Sequence, residues 1–168
     1  MKLTDLNCIN KEVDLDSYIK FRENVKAKME HPEWLGDFTK QDLEKLLSNG
    51  SKIWIYYLDN EPVCSMMLIP SDKKALLKFG LPSRCQDFAD YGPMFVKPKF
   101  VGNSLQYQML KELDKYCLGL GYKYAVVTVH PDNVYSIRNL IKHGFNYKDT
   151  KEFTRGIRNI YLKKLIAM

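Results

Sequence analysis

The stretch Val96-Lys-Pro-Lys-Phe-Val-Gly-Asn-Ser-Leu-Gln106 constrains this chain more than any other, because it joins two regular elements through residues that suit neither. Before it, the apolar run Tyr91-Gly-Pro-Met-Phe-Val96 has the length of a buried strand. After it, Leu105, Met109, Leu110, Leu113, Tyr116, Cys117 and Leu120 recur at helical spacing, and Gly119 and Gly121 supply a stop. Pro98 interrupts both kinds of element, and Gly102 frees the backbone for an unusual turn. A strand, a glycine-containing turn and a helix start leave several N–H groups unpaired and pointing one way. With the positive end of the helix dipole, they form an anion site suited to phosphate.

The chain around this junction reads as alternating elements. Lys2–Ile9 is expected as a strand, and Asp14 or Asp16 as the cap of a helix running to about Met29, with Leu15, Tyr18, Ile19, Val25 and Met29 on its apolar face. Pro32 and Gly36 break His31–Phe38 into a loop. Thr39, with Asp42 three residues on, opens a second helix whose stripe is Leu43, Leu46 and Leu47, and Asn49-Gly50 ends it. Lys52–Leu58 and Val63–Pro70 form a hairpin across Asp59–Pro62. Asp72–Phe79 reads as a short helix and Gly80–Asp90 as an irregular connection.

Tyr122–Val129 is apolar enough for burial on both faces, Asn133–His143 is a helix stopped by Gly144, and Phe145–Glu152 with Arg158–Leu165 closes the chain as a hairpin near Arg155-Gly156. The strand–helix–strand unit over 91–129 predicts a parallel pair, and the two hairpins predict antiparallel ones. Residues 1–168 are therefore expected as a single domain of the α/β class in its α+β sense: a mixed, mostly antiparallel sheet with a parallel pair and helices on both faces.

Two motifs in this order resemble the GNAT superfamily of N-acetyltransferases. The junction is similar to its acetyl-CoA motif, a strand ending in Val-x-Pro before an Arg/Gln-x-x-Gly-x-Gly/Ala turn. Gly102 and Leu105 fit common variants, whereas Val101, Ser104 and Gln106 depart from the pattern. The segment Asn133-Val-Tyr-Ser-Ile-Arg-Asn-Leu-Ile-Lys-His-Gly-Phe145 is similar to the family's Asn-x-x-Ala-x-x-x-Tyr-x-x-x-Gly-Phe signature. Asn133 and Gly144-Phe145 match, Ser136 stands for the small residue, and Leu140 replaces the tyrosine.

The resemblance implies that the parallel strand pair is splayed, and it implies acetyl-CoA as cofactor. The amides of Val101, Gly102, Asn103, Ser104, Leu105 and Gln106 would wrap its pyrophosphate. The backbone of Met94, Phe95 and Val96 would pair with the pantetheine arm, beside Asn133 and Ser136. It also implies a backbone N–H, that of Phe95 or a neighbour, polarising the thioester oxygen. Asp90, His130 and Glu61 are candidate bases for the amine proton. The tyrosine that protonates the leaving thiolate in many members is missing at Leu140. Tyr135 falls on the opposite helical face, Ser136 lies on the correct face, and Tyr91 or Tyr161 would have to come from elsewhere. No Ser/His/Asp or Cys/His set is present for an acyl-enzyme, so direct transfer is expected.

The acceptor, a small-molecule amine or a peptide, would sit at the His31–Phe38 loop, with Trp34 and Phe38 as an apolar wall and Glu33 or Asp37 attracting the amine. A homodimer is compatible with this scheme.

The formal charge of +6 suits an anionic cofactor, but Lys and Arg are interspersed with Asp and Glu, which argues against a nucleic-acid surface. No run of about 18 apolar residues predicts a membrane span. The start carries Asp5 and no apolar core, unlike a secretory signal. Cys8, Cys64, Cys85 and Cys117, with His31, His130 and His143, show no metal-ligand spacing, and reduced thiols point to the cytoplasm. The alternative to an enzyme is a non-catalytic acyl-CoA-binding module, a sensor or partner subunit, motivated by the departures at Val101, Gln106 and Leu140.

Overall fold

Asp14, Thr39 and Asp72 each cap a helix, as their spacing before apolar residues requires. The Asp14 carboxylate accepts from Asp16 N–H at 3.3 Å and opens α1 (Leu15–Lys26). Thr39 and Asp42 exchange both bonds of a capping box, at 3.1 and 2.8 Å, at the start of α2 (Lys40–Ser48). Asp72 accepts from Ala75 N–H at 2.7 Å before α3 (Lys73–Lys78). In the C-terminal half lie α4 (Leu105–Gly119) and α5 (Val134–Lys142), the latter capped by Asn133. The computed structural model describes residues 1–167.

The strands are β1 (Asn7–Ile9), β2 (Lys52–Leu58), β3 (Glu61–Pro70), β4 (Phe88–Tyr91), β5 (Phe95–Val96), β6 (Tyr124–Val129), β7 (Asn146–Phe153) and β8 (Gly156–Lys164). They form one sheet in the order β1-β2-β3-β4-β6-β8-β7, with β5 also paired to β3. Every pair is antiparallel except β4–β6. The expected mixed sheet is what forms.

The period of two in the central strands sets the layers. Ile53 and Ile55 of β2 and Met67 of β3 pack with Tyr18, Phe21, Val25 and Leu43, so α1 and α2 cover that face. Trp54, Tyr56, Met66 and Leu68 point the other way, onto Leu105, Met109, Leu110 and Leu113 of α4 and Leu140 of α5. Leu76 and Phe79, at the end of α3, pack with Phe88, Val126 and Ile160 at one end of the sheet.

Three boundaries differ from the sequence reading. Residues 3–5 form a single 3-10 turn, leaving only Asn7–Ile9 as strand, because Asp5 takes the Lys2 N–H at 2.7 Å and closes the chain locally. α1 ends at Lys26, short of Met29, and its buried face includes Phe21 and Arg22, whereas Leu15, Ile19 and, beyond its end, Met29 are only partly buried.

The run Tyr91–Val96 is not one strand. The parallel partner of β6 is Phe88–Asp90, assigned from sequence to a connection, and the chain breaks at Gly92-Pro93-Met94. Tyr91 lies opposite Leu68 and Phe95 opposite Ser65, so four steps on one strand face three on the other. This is a bulge, and Pro93, which lacks an N–H, sits where no ladder bond is needed. A Cβ on Gly92 would come within 2.9 Å of Ile69 Cδ1 and 3.3 Å of Met67 Cβ, so any larger residue there would have to displace the Ile69 side chain.

Candidate active site

The bulge opens the sheet. β4 and β6 are paired only over Phe88–Asp90 and Tyr124–Val126. Beyond that β6 stays with β8 while β5 stays with β3, and a cleft of about 120 Å³ lies between them. On the side of α4 and α5 it is lined by Met94, Gln106, Leu110, Asn133, Ser136 and Leu140. On the side of the α1–α2 loop it is lined by Trp34, Phe38, Ile69, Asp90, Thr128, Arg155 and Arg158.

The free edge of β5 is a row of backbone groups aimed at this cleft. Lys97 N–H donates to Val63 O at 2.8 Å, and alternation along the antiparallel ladder turns the Phe95 N–H toward Ser65. The N–H of Val96, one residue on, points away from β3 into the gap. The Phe95 ring is buried against Tyr18 and Phe21, centroids 6.0 and 5.2 Å away. Phe95 thus anchors the strand, and its neighbour carries the outward donor.

The turn before α4 is shaped by two residues at positive φ, Gly102 at 98° and Ser104 at 56°. A Cβ on Gly102 would meet nothing within 4 Å, so its glycine serves conformation and an open approach to the backbone. Among the described residues no protein acceptor takes the N–H of Gly102, Asn103, Ser104, Leu105 or Gln106, and the Ser104 side chain makes no cap bond. A helix start with that many open donors fits a pyrophosphate. Val101 and Gly102 are exposed, and Leu105 packs into the core below them.

Gln106 links the two helices that border the cleft. Its Nε2 donates to Ser136 Oγ at 3.0 Å, and its Oε1 accepts from Asn139 Nδ2 at 2.7 Å. Because Ser136 Oγ accepts from Gln106, its own proton is free for another partner. Asn133 Oδ1 accepts from Ser136 N–H at 3.2 Å, which caps α5 and leaves the Asn133 amide protons free.

Of the three carboxylate or histidine bases considered from sequence, only Asp90 lines the cleft. Desolvation at the cleft floor raises its pKa to about 6, against the lowering effect of Arg155. Glu61 is tied to Lys97 at 2.5 Å and Lys99 at 2.6 Å. His130 accepts from Asp132 N–H at 3.2 Å and stacks on Trp34 with centroids 5.9 Å apart. Trp34 is held on its other side by His31 at 4.3 Å, so a stacked His–Trp–His wall borders the cleft near Phe38.

Leu140 is 2% exposed and brings no proton. Tyr135 is exposed on the far face of α5. The Tyr91 ring borders the cleft, but its hydroxyl donates to Asp114 Oδ1 at 2.7 Å, an acid also paired with Lys163. Burial, first, and that neighbouring carboxylate push the Tyr91 pKa far up. Tyr161 packs on Tyr147 in the final hairpin.

Glu33 and Asp37 do not border this cleft: Glu33 pairs with His31 and Asp37 with Lys26. Two guanidiniums stand there instead. Arg155 donates to Thr128 Oγ1 and lies over Gly36, whose missing Cβ would be 3.3 Å from its NH1. Arg158, 2% exposed, donates to Ile157 O at 2.7 Å and Glu33 O at 2.9 Å. From sequence the two looked like residues of a terminal hairpin. The one available signal was a pair of arginines flanking its glycine.

A splayed parallel pair, a bulged strand with an outward edge and an open helix N-terminus define an acyl-CoA-dependent transferase fold. The family model of the Acetyltransferase (GNAT) family matches residues 17–145, and the chain belongs to that family, whose cofactor is acetyl-CoA. No curated protein sequence matches the chain.

Among solved structures, a GNAT family acetyltransferase from Elizabethkingia anophelis with acetyl-CoA bound has a TM-score of 0.69 at 13% identity, covering 96% of this chain and 99% of that one. The Bacillus subtilis acetyltransferase in complex with CoA scores 0.70 at 11% identity, again covering 96% and 99%. A probable acetyltransferase from Staphylococcus epidermidis scores 0.70 at 16% identity, with the same coverage. At such identities the likeness is one of fold.

Proposed function

We propose that this protein is an acetyl-CoA-dependent N-acetyltransferase that transfers an acetyl group directly to an amine of a small molecule or peptide. The observation that carries the reading is one continuous cleft, with unpaired amides of Gly102–Gln106 leading to it on one side and Asp90 lining the other. Acetyl-CoA, when bound, supplies a thioester whose carbon–sulfur bond is exchanged for a carbon–nitrogen bond, one proton passing from nitrogen to sulfur. The open turn holds phosphate through backbone donors, and the Val96 N–H is aimed into the gap to donate to a carbonyl oxygen. Asp90, whose pKa of about 6 leaves it mostly ionised at pH 7, takes the proton of the incoming ammonium. Ser136, oriented by Gln106, is the hydroxyl best placed to supply a proton on the cofactor side.

Trp34 and Phe38 form the apolar wall of the acceptor end. No helix among the described residues is long and apolar enough to cross a membrane. The four unpaired cysteines suit the reducing cytoplasm.

Calorimetric titration with acetyl-CoA, followed by a thiol-release screen over amine classes, tests this reading, and a folded protein that binds no acyl-CoA would refute it. A non-catalytic acyl-CoA-binding module is the second reading, favoured by the buried Leu140 and by the Tyr91 hydroxyl being engaged with Asp114. It predicts tight acetyl-CoA binding without thiol release.

A further inference from the structure

We propose that the acceptor is a zwitterion: an amine that also carries an oxyanion, a carboxylate or a phosphate, with the amine at Asp90 and the anion at Arg155 and Arg158. The inference rests on the acetyltransferase reading and names the substrate class of that site.

The charged groups lining the cleft are Asp90, Arg155 and Arg158, so positive charge exceeds negative there. Both arginines use only neutral acceptors: Thr128 Oγ1 for Arg155, and the carbonyls of Ile157 and Glu33 for Arg158. Among the described residues no carboxylate lies within 4.0 Å of either guanidinium. A guanidinium has five N–H donors, and these bonds occupy a minority of them. A charge as buried as Arg158 ordinarily has an ionic partner, because desolvating it is costly. The cost is visible here: burial first, and then the neighbouring Arg155, hold the Arg158 pKa below the usual value. Two adjacent like charges held in a cleft with no carboxylate in ion-pair contact, and only Asp90 and Glu33 acting from farther away, are a site for an external anion, and guanidinium forks match carboxylate and phosphate oxygens.

The anion in question is not the pyrophosphate of the cofactor. The open turn precedes α4, on the face of the sheet that α4 and α5 cover. Arg155 and Arg158 contact Gly36 and Glu33 of the loop joining α1 to α2, which cover the opposite face. A third cation lies behind this wall, outside the cleft lining: Arg22 is 2% exposed, sits 5.3 Å from the Phe38 ring with NH1 3.8 Å from Glu23, and its Nε and NH2 have no hydrogen-bond partner. The acids of this loop, Glu33 and Asp37, are already paired with His31 and Lys26, so the cleft offers an amine only Asp90. One acid beside two arginines is complementary to a molecule with one ammonium and one oxyanion.

The test compares matched amines under thiol release with saturating acetyl-CoA: free amino acids against their carboxamides, and O-phosphoethanolamine against ethanolamine. The expected result is at least a tenfold higher kcat/KM for the anionic member in one or both series, the series that responds distinguishing carboxylate from phosphate. In Arg155→Gln that ratio should fall at least tenfold with the KM for acetyl-CoA unchanged, and Arg155→Lys should restore part of it. Arg155 reaches solvent and is the variant least exposed to a folding defect; circular dichroism of Arg158→Gln reports whether the buried one can be removed. Equal rates within both pairs, or an Arg155→Gln loss shared by neutral and anionic amines, overturns the proposal. Acetyl-CoA binding with no turnover of any anionic amine also overturns it while leaving the cofactor site intact, whereas loss of acetyl-CoA binding itself fails the acetyltransferase reading beneath it.

Discussion

The turn at Gly102–Gln106 and the proposed acceptor end around Arg155 lie on opposite faces of one sheet and are built on opposite principles. The turn is backbone: its donors are N–H groups set by two positive φ angles, while the Gln106 side chain is turned to Ser136 and Asn139 of α5. The acceptor end is side chains drawn from far apart in the chain, with Arg158 bonded to Glu33 across 125 positions and Arg155 to Thr128 across 27. A backbone site tolerates the substitutions at Val101, Ser104 and Gln106 that break the family pattern, because any residue supplies an N–H. A side-chain site does not, because each guanidinium is a specific group that no other residue reproduces.

The largest expected effect separates the two sites. Gly102→Pro removes an N–H and forces φ to about −65° where the chain needs 98°, so acetyl-CoA affinity should fall roughly 100-fold by calorimetry. Nothing packs within 4 Å of that position, so the variant should keep its circular dichroism spectrum.

Asp90→Asn should do the converse. Acetyl-CoA affinity stays, while kcat/KM falls roughly 100-fold and the acidic limb near pH 6 disappears from its pH profile. Stability follows the same shift with a definite sign. The folded pKa is raised, so the folded state favours protonated Asp90, a contribution fully present below about pH 4 and lost as pH rises through about 6. Asp90→Asn, neutral throughout, should therefore melt a few degrees higher than wild type above pH 6, on the order of 1 kcal/mol, and show no such gain below pH 4.

Asn133→Ala probes the cofactor side where it does depend on a side chain. Losing the cap of α5 and a free amide donor should cost about 1 kcal/mol in helix stability, read by thermal melting, and roughly fivefold in acetyl-CoA affinity. Leu140→Tyr should have the smallest effect on rate, two- to threefold upward in kcat by about the range one modest proton donor allows, with a new basic limb. The bulkier ring in a site 2% exposed should lower stability by about 1–3 kcal/mol. An unchanged kcat without a new limb would assign proton delivery to groups already present, Ser136 first among them.

The sequence by itself determined the local structure: the start of α1 at Asp14 or Asp16, the capping box at Thr39, the short helix after Asp72, the helices α4 and α5, the hairpins, and the open turn, because each depends on neighbours within about one helical turn. It also placed Trp34, Phe38, Asp90, Asn133 and Ser136, which the fold brings to a single cleft. Tertiary structure decided what depends on pairing across the chain. The register of β5 on β3 chose Val96 over Phe95 as the outward donor, since ladder parity follows from the bulge and not from residue type. Packing of α4 on the sheet committed the Tyr91 hydroxyl to Asp114. Closure of the final hairpin over the α1–α2 loop put two arginines where the loop's own acids had been expected, because Glu33 and Asp37 found nearer cations first. Hydrogen bonding along a chain is short-ranged and can be read residue by residue; desolvation and charge pairing depend on everything that surrounds a group, and only the folded chain supplies those surroundings.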